Sequence, residues 1–143
     1  SVHERRAGFK AGLAEFDLKL PPSMIVEAAY TFDSGVMAAD NLLSRAVRPT
    51  AIFAGNDEMA VGVYTSARKA GLQVPNDVSI VGFDDTPMAA RMWPPLTTVR
   101  LPIREMGREA ARKIIRLASN EAPPEHPGFT PEIVVRQSTA RPS

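Results

Sequence analysis

Cysteine is absent from the 143 residues, which excludes disulfides and thiolate zinc sites and favours a reducing, cytoplasmic setting. Histidine is scarce. His3 stands near the start and His126 in a proline-rich loop, and neither belongs to a visible constellation. The chain has no H-E-x-x-H, no G-x-S-x-G, no phosphate-cradling P-loop and no G-x-G-x-x-G. Enzyme chemistry therefore has little to stand on, and no catalytic residue, cofactor or metal site is assigned. Long apolar runs are missing too, so no segment reads as a membrane span. Charge of one sign does not dominate either. Seventeen Lys and Arg face sixteen Asp and Glu, a net +1 that leaves no electrostatic footprint for nucleic acid. If a parent protein reads DNA, another segment does so. No signal peptide is visible, and a chain that opens at Ser1 reads as a piece of something longer.

What is present has the balance of a globular domain, 44% apolar and 23% charged, in a length that can bury a real core. Phe9, Leu13 and Phe16, with Ala7, Ala11 and Ala14 beside them, recur at helical spacing until "LPP" at 20–22 stops the run. "MIVEAA", 24–29, is expected to be a strand. Ser34 is placed as the N-cap of a helix carrying Met37, Leu42 and Leu43 towards one side. "TAIFAG" is a second apolar strand. The following helix shows Met59, Val63, Ala67 and Ala70 on one face, with Gly71 at its C-cap. "VSIVGF" closes a βαβ unit from Thr50 to Phe83. This alternation predicts an α/β fold, a parallel sheet with helices on both faces.

After Trp93 the pattern changes. "PPLTTVRLP" is framed by prolines and reads as an extended crossover. An amphipathic helix follows, with Ile103, Met106, Ala110, Ile114 and Leu117 on one stripe. "NEAPPEHPGFTP" is a surface loop, and "EIVVRQST" a closing strand.

In an open α/β sheet, ligands bind outside the carboxyl ends of the strands. Asn56 and Asp57 follow one such end, Asp84 and Asp85 another. Tyr30 could offer an aromatic wall and Arg5 a cation. Each has an ordinary alternative, because Asn and Asp at strand-to-helix turns are favoured caps. For Asp57 and Asp85 capping or turn stabilisation is preferred; for Asn56 and Asp84 the two readings stand level. The Asp pair could also hold Mg²⁺, but such a site wants a nucleophile or a lysine at another strand end. Lys10, Lys19, Lys69 and Lys113 all sit in helices or the turns after them.

"FAGNDEMA", "VPNDVSIVGFDD" and "PPLTTVR" followed by "MGREAA", with "ERRAGF" at the start and "VVRQST" at the end, resemble the effector-binding core of LacI-type (lactose repressor) transcription regulators. The resemblance implies one lobe, and part of another, of a periplasmic-binding-protein-like module that is not an enzyme. Residues 1–99 would form the second lobe, 100–130 a crossover and helix of the first lobe, and 131–143 the closing strand and tail. It implies a small-molecule effector, a sugar or sugar derivative, held by Arg5, Tyr30, Asn56 and Asp84, with weaker positions at Ser1, Leu101 and Ile103. Leu101 stands where the family commonly has a glutamine, so the pocket is expected to be less polar there. The resemblance further implies operator DNA bound through a helix-turn-helix ahead of Ser1, and a homodimer through Val61 and Met92. A periplasmic solute-binding protein of the same fold is the alternative.

Overall fold

Two apolar segments with a helix between them, Ala51–Phe53 (β1) and Ser79–Phe83 (β2), pair in parallel, with Ile52 opposite Ile80. The computed structural model describes residues 2–122 and 128–141. Thr97–Arg100 (β3) is a third parallel strand beside β2, and Glu132–Val134 (β4) closes the edge antiparallel to β3. The prolines around 94–102 do not keep "TTVR" out of the sheet, because they flank the strand and leave its own amides free to pair. The crossover expected there shrinks to Leu101 and Pro102.

Because side chains alternate along a strand, β2 has two characters. Ile80 and Gly82 are buried, facing helix Asp57–Lys69 (α3), which packs on β2 and carries buried Ala60, Val63 and Ala67. Phe83 points to the other face, where Arg5 of helix Val2–Ala14 (α1) lies over it, while Phe9 stacks on Phe53 at 5.3 Å. Helix Phe32–Leu43 (α2) packs against α3 and adds Ala39, Leu42 and Leu43 to the core.

Several local expectations change. Thr31, not Ser34, caps α2; Ser34 sits three residues on and completes a reciprocal capping box, each hydroxyl accepting the other's amide at 3.3 Å. Met37 is exposed while Leu42 and Leu43 are buried, because the α2 stripe turns towards α3. Residues 24–29 form no strand. A short 3₁₀ turn at Pro22–Met24 starts the segment, which stays extended without ladder partners, Met24 and Val26 packing on the core. Gly71, at φ +73°, ends α3 as expected.

Helix Ile103–Ala118 (α4) buries none of its residues and leaves Ile103, Ile114, Ile115 and Leu117 exposed. With no apolar cover, its amide hydrogens are expected to exchange many times faster than those of α3. Hydrogen-exchange NMR on this chain checks this; protection in α4 equal to that in α3 would contradict it.

Candidate functional site

The carboxyl ends of β1 and β2 lie side by side, and the chain leaves each through a short polar turn. After β1 the turn is Gly55-Asn56. Asn56 is the N-cap of α3, its Oδ1 accepting from the Met59 amide at 2.8 Å and its Nδ2 donating to the Tyr30 carbonyl at 3.3 Å. The side chain thus performs the capping alternative while tying Tyr30 to the same crest. The Tyr30 ring is partly exposed.

Arg5 reaches this crest from α1. Its Nη1 donates to the Gly55 carbonyl at 2.6 Å, and its guanidinium carbon lies 3.8 Å from the Phe83 ring centre and 5.7 Å from that of Tyr30. A cation held over an aromatic face gains about 0.5–2 kcal/mol depending on its desolvation. One carbonyl bond engages a single edge of a group with five donor hydrogens, so donor capacity remains for a ligand.

Asp84 follows Phe83. It is open to solvent with φ +107°, a left-handed conformation that costs a non-glycine residue energy and marks turns built for a purpose. Burial of its inner side lifts the Asp84 carboxyl above the ordinary carboxylate range; the Arg5 guanidinium opposes this and the Asp57 carboxylate adds to it. An acceptor and a cationic fork flanking an aromatic ring can recognise a polyhydroxylated molecule, with donors, acceptors and a flat apolar face in one place.

Asp85 does different work. At φ +50° it turns inward, accepting from Arg136 Nη2 and Arg100 Nε, each at 2.6 Å. Burial alone would raise its pKa, but the two guanidinium bonds outweigh burial and hold the carboxyl below the ordinary range. It ties the turn to the edge of the sheet, a stronger form of the turn-shaping role expected. A folded-state pKa below the unfolded value means stability present above the unfolded pKa, about 3.9, and lost as pH falls through the folded one. Asp85→Asn is therefore expected to cost about 1–2 kcal/mol at pH 7, mostly through the half-buried Arg136, with the difference closing below pH ~4. Urea unfolding across this pH range checks it; a gap that persists at low pH would contradict it.

Of its two expected roles, Asp57 takes turn stabilisation and not capping. It is the first residue of α3 rather than its cap, and only 1% exposed. Its carboxylate accepts from the Thr98 hydroxyl at 2.6 Å and from the Thr86 amide and hydroxyl at 2.7 and 3.0 Å.

The other expected residues are distributed. Leu101 and Ile103 follow β3 at the same end of the sheet, since β3 runs parallel to β2. Ser1 and His126 lie outside the described residues, and His3 is exposed on α1. Phe83, Gly55 and Arg136 were missed. Phe83 alone had a signal, since strand alternation puts it opposite buried Gly82 and one residue before Asp84.

Depressions among the described residues include a pair of about 670 Å³ each. One runs between α1 and the 18–30 segment, with Arg5, Tyr30, Phe53, Gly55 and Met59 among its walls. The other shares none of its walls with the first and has Phe32, Val61, Thr86, Met88 and Arg91 around it. Val61 is partly buried beside this second groove, and Met92 packs on the chain's own core. Among the described residues no group of three or more His, Cys, Asp or Glu side chains could hold a metal ion, and no helix is long and apolar enough to cross a membrane.

Comparison with known proteins agrees with this architecture. A family profile for the periplasmic binding protein-like domain matches residues 1–139. Catabolite control protein A of Priestia megaterium is 44% identical over 114 residues, which cover 80% of this chain and 34% of that protein. The transcriptional regulator CelR in complex with cellobiose superposes with a TM-score of 0.87 at 34% identity, covering 94% of this chain and 42% of the other. A LacI family regulator of Lactobacillus casei with bound sucrose superposes at 0.82 and 31% identity, over 96% of this chain and 51% of that one. The chain thus spans between a third and a half of the length of these relatives.

Proposed function

The chain belongs to the periplasmic binding protein-like domain family, in the form carried by LacI-type transcriptional regulators, and from that premise we propose that it is the effector-binding and dimerisation core of such a regulator. The effector is a sugar or sugar derivative, and it controls operator binding by a helix-turn-helix domain elsewhere in the protein. The observation that carries this reading is the Arg5 guanidinium, fixed over Phe83 and bonded to Gly55 beside Asp84 at two parallel strand ends. Cellobiose and sucrose in the two structural relatives support a carbohydrate. Likeness to repressors supports this reading over a periplasmic solute-binding protein; such a regulator works in the cytoplasm by binding, without enzymatic turnover.

In this reading residues 1–99 and 131–143 make the second lobe, and 100–130 is a piece of the first. The uncovered stripe of α4 supports that division, since a lobe supplied by the rest of the protein would cover it. Thermal melting of the two-lobed regulator against a panel of mono- and disaccharides tests the function. A binder at a hundred times its Kd should add about 2.7 kcal/mol; no shift with any sugar at millimolar concentration would remove the carbohydrate assignment.

Dimerisation through the surface around Val61 and Met92 is the second part of the proposal. Val61 lines an apolar groove with Phe32 and Met88, the composition a self-complementary contact needs. Val61→Lys would desolvate an added charge in that contact, beside Glu58 and Arg91 of the same groove, and is expected to shift the regulator towards monomer in sedimentation; an undisturbed dimer would place the interface elsewhere.

A further inference from the structure

Asp57 has no place in the ligand set, yet it is the most heavily engaged carboxylate of the described core. Three donors converge on it, and all come from elements other than its own: the Thr98 hydroxyl from β3, and the amide and hydroxyl of Thr86 from the turn after β2. The Thr98 oxygen in turn accepts from the Asp85 amide at 3.4 Å. Gly82 makes room for this arrangement. A Cβ at that position would run into the Asp57 carboxylate and come within 2.7 Å of Leu96 Cδ2.

The turn between these anchors needs them. Asp84 and Asp85 are consecutive non-glycine residues at positive φ, a combination that persists only where the surroundings over-determine it. Asp85 is gripped from outside by Arg136 and Arg100, and Thr86 from inside by Asp57. The residue between Phe83 and this double grip is Asp84, whose amide donates to the Val99 carbonyl at 2.8 Å.

We infer that Asp57 is the positioning residue of the candidate site, a buried carboxylate that locks the 84–86 turn so that Asp84 projects its carboxyl towards ligand beside Arg5. It acts through Thr86 and Thr98 and touches no ligand itself. This rests on the proposed function for the word ligand, but the locked turn can be measured without one. The groups facing Asp84 electrostatically are Arg5 and Asp57, so the Asp84 carboxyl is itself a reporter.

The test uses the 143-residue chain with three substitutions. Asp57→Asn keeps the shape but turns one acceptor oxygen into a donor facing other donors. Thr98→Val is isosteric and removes only the hydroxyl link, and Thr98→Ser restores that hydroxyl. Carboxyl-detected and amide NMR follow the Asp84 titration and the Asp85 and Thr86 amides. Asp57→Asn and Thr98→Val should both move the Asp84 midpoint and displace the two amide signals, while the α2 signals hold and Thr98→Ser stays near the original spectrum. For any sugar of the panel that binds the unsubstituted regulator, Asp57→Asn should raise the Kd about tenfold and Thr98→Ser by less than about twofold. Unmoved Asp84, Asp85 and Thr86 signals in folded Asp57→Asn and Thr98→Val chains would overturn the inference. So would unfolding of both variants, because Asp57 would then hold the fold and not the turn. A sugar panel without a binder bears on the proposed function alone and leaves the spectral result standing.

Discussion

Gly62→Leu should cost at least about 3 kcal/mol, more than half the stability of a marginal domain. Helices α2 and α3 cross with backbone against backbone at two glycines. A Cβ on Gly62 would lie 2.5 Å from the Phe32 carbonyl oxygen and 2.6 Å from the Val36 amide, and one on Gly35 would collide with the Met59 backbone. These neighbours are main chain, so no rotamer change relieves the overlap; the helices must separate. Separation would pull apart the contacts of Ala39, Ala60 and Val63 and shift the N-terminus of α3, which carries Asn56 and Asp57. Gly8 and Gly12 on α1 give the contrast, since a Cβ on either meets nothing within 4 Å. Alanine there should be neutral or stabilise by up to about 1 kcal/mol through helix propensity. Urea unfolding of the three variants checks both signs. Equal effects at Gly62 and Gly8 would contradict the close crossing.

The second large effect concerns the site. Asp84→Ala should weaken sugar binding by about 1–3 kcal/mol, which is roughly five- to 150-fold in Kd, because a ligand hydroxyl placed there loses its acceptor inside the closed site. Arg5→Met should lose a similar amount and also loosen α1, since its bond to the Gly55 carbonyl is one of the few ties between that helix and the sheet. The two substitutions should therefore differ in stability while agreeing in affinity. Asp84 is open to solvent, and alanine keeps a Cβ at the same φ of +107°, so Asp84→Ala should leave the melting temperature of the unliganded protein unchanged or slightly lowered, by less than Arg5→Met does. Calorimetric titration with the tightest sugar of the panel, paired with thermal melts, separates the two cases. An unchanged Kd in Asp84→Ala would remove this carboxylate from the site.

What was legible in the chain followed from periodicity and turn chemistry. The βαβ unit from Thr50 to Phe83 could be read because its strands are short apolar runs and its helix ends on Gly71, and both signals are local. The turn-shaping role of Asp85 was half legible. Sequence placed both acids at a strand end, and the resemblance chose Asp84. That Asp85 would be claimed by Arg136 could not be read, because 51 positions separate the partners and only the β3–β4 pairing brings them together. That Asp57 would stabilise the turn after β2 and not cap its own helix could not be read for the same reason, since its donors come from β3 and that turn. The expected strand at 24–29 had the right residues but no neighbour to pair with. Strand propensity alone does not form a strand where no ladder partner is present.

A crystal structure of the two-lobed regulator, grown with the sugar that most raises its melting temperature, would show where the effector sits. The sugar should be seated at the carboxyl ends of β1 and β2, with hydroxyls on Arg5 and Asp84 and a ring face near Phe83 or Tyr30. A sugar lodged instead in the groove of Phe32, Val61 and Met88, with Arg5 and Asp84 untouched, would contradict the account.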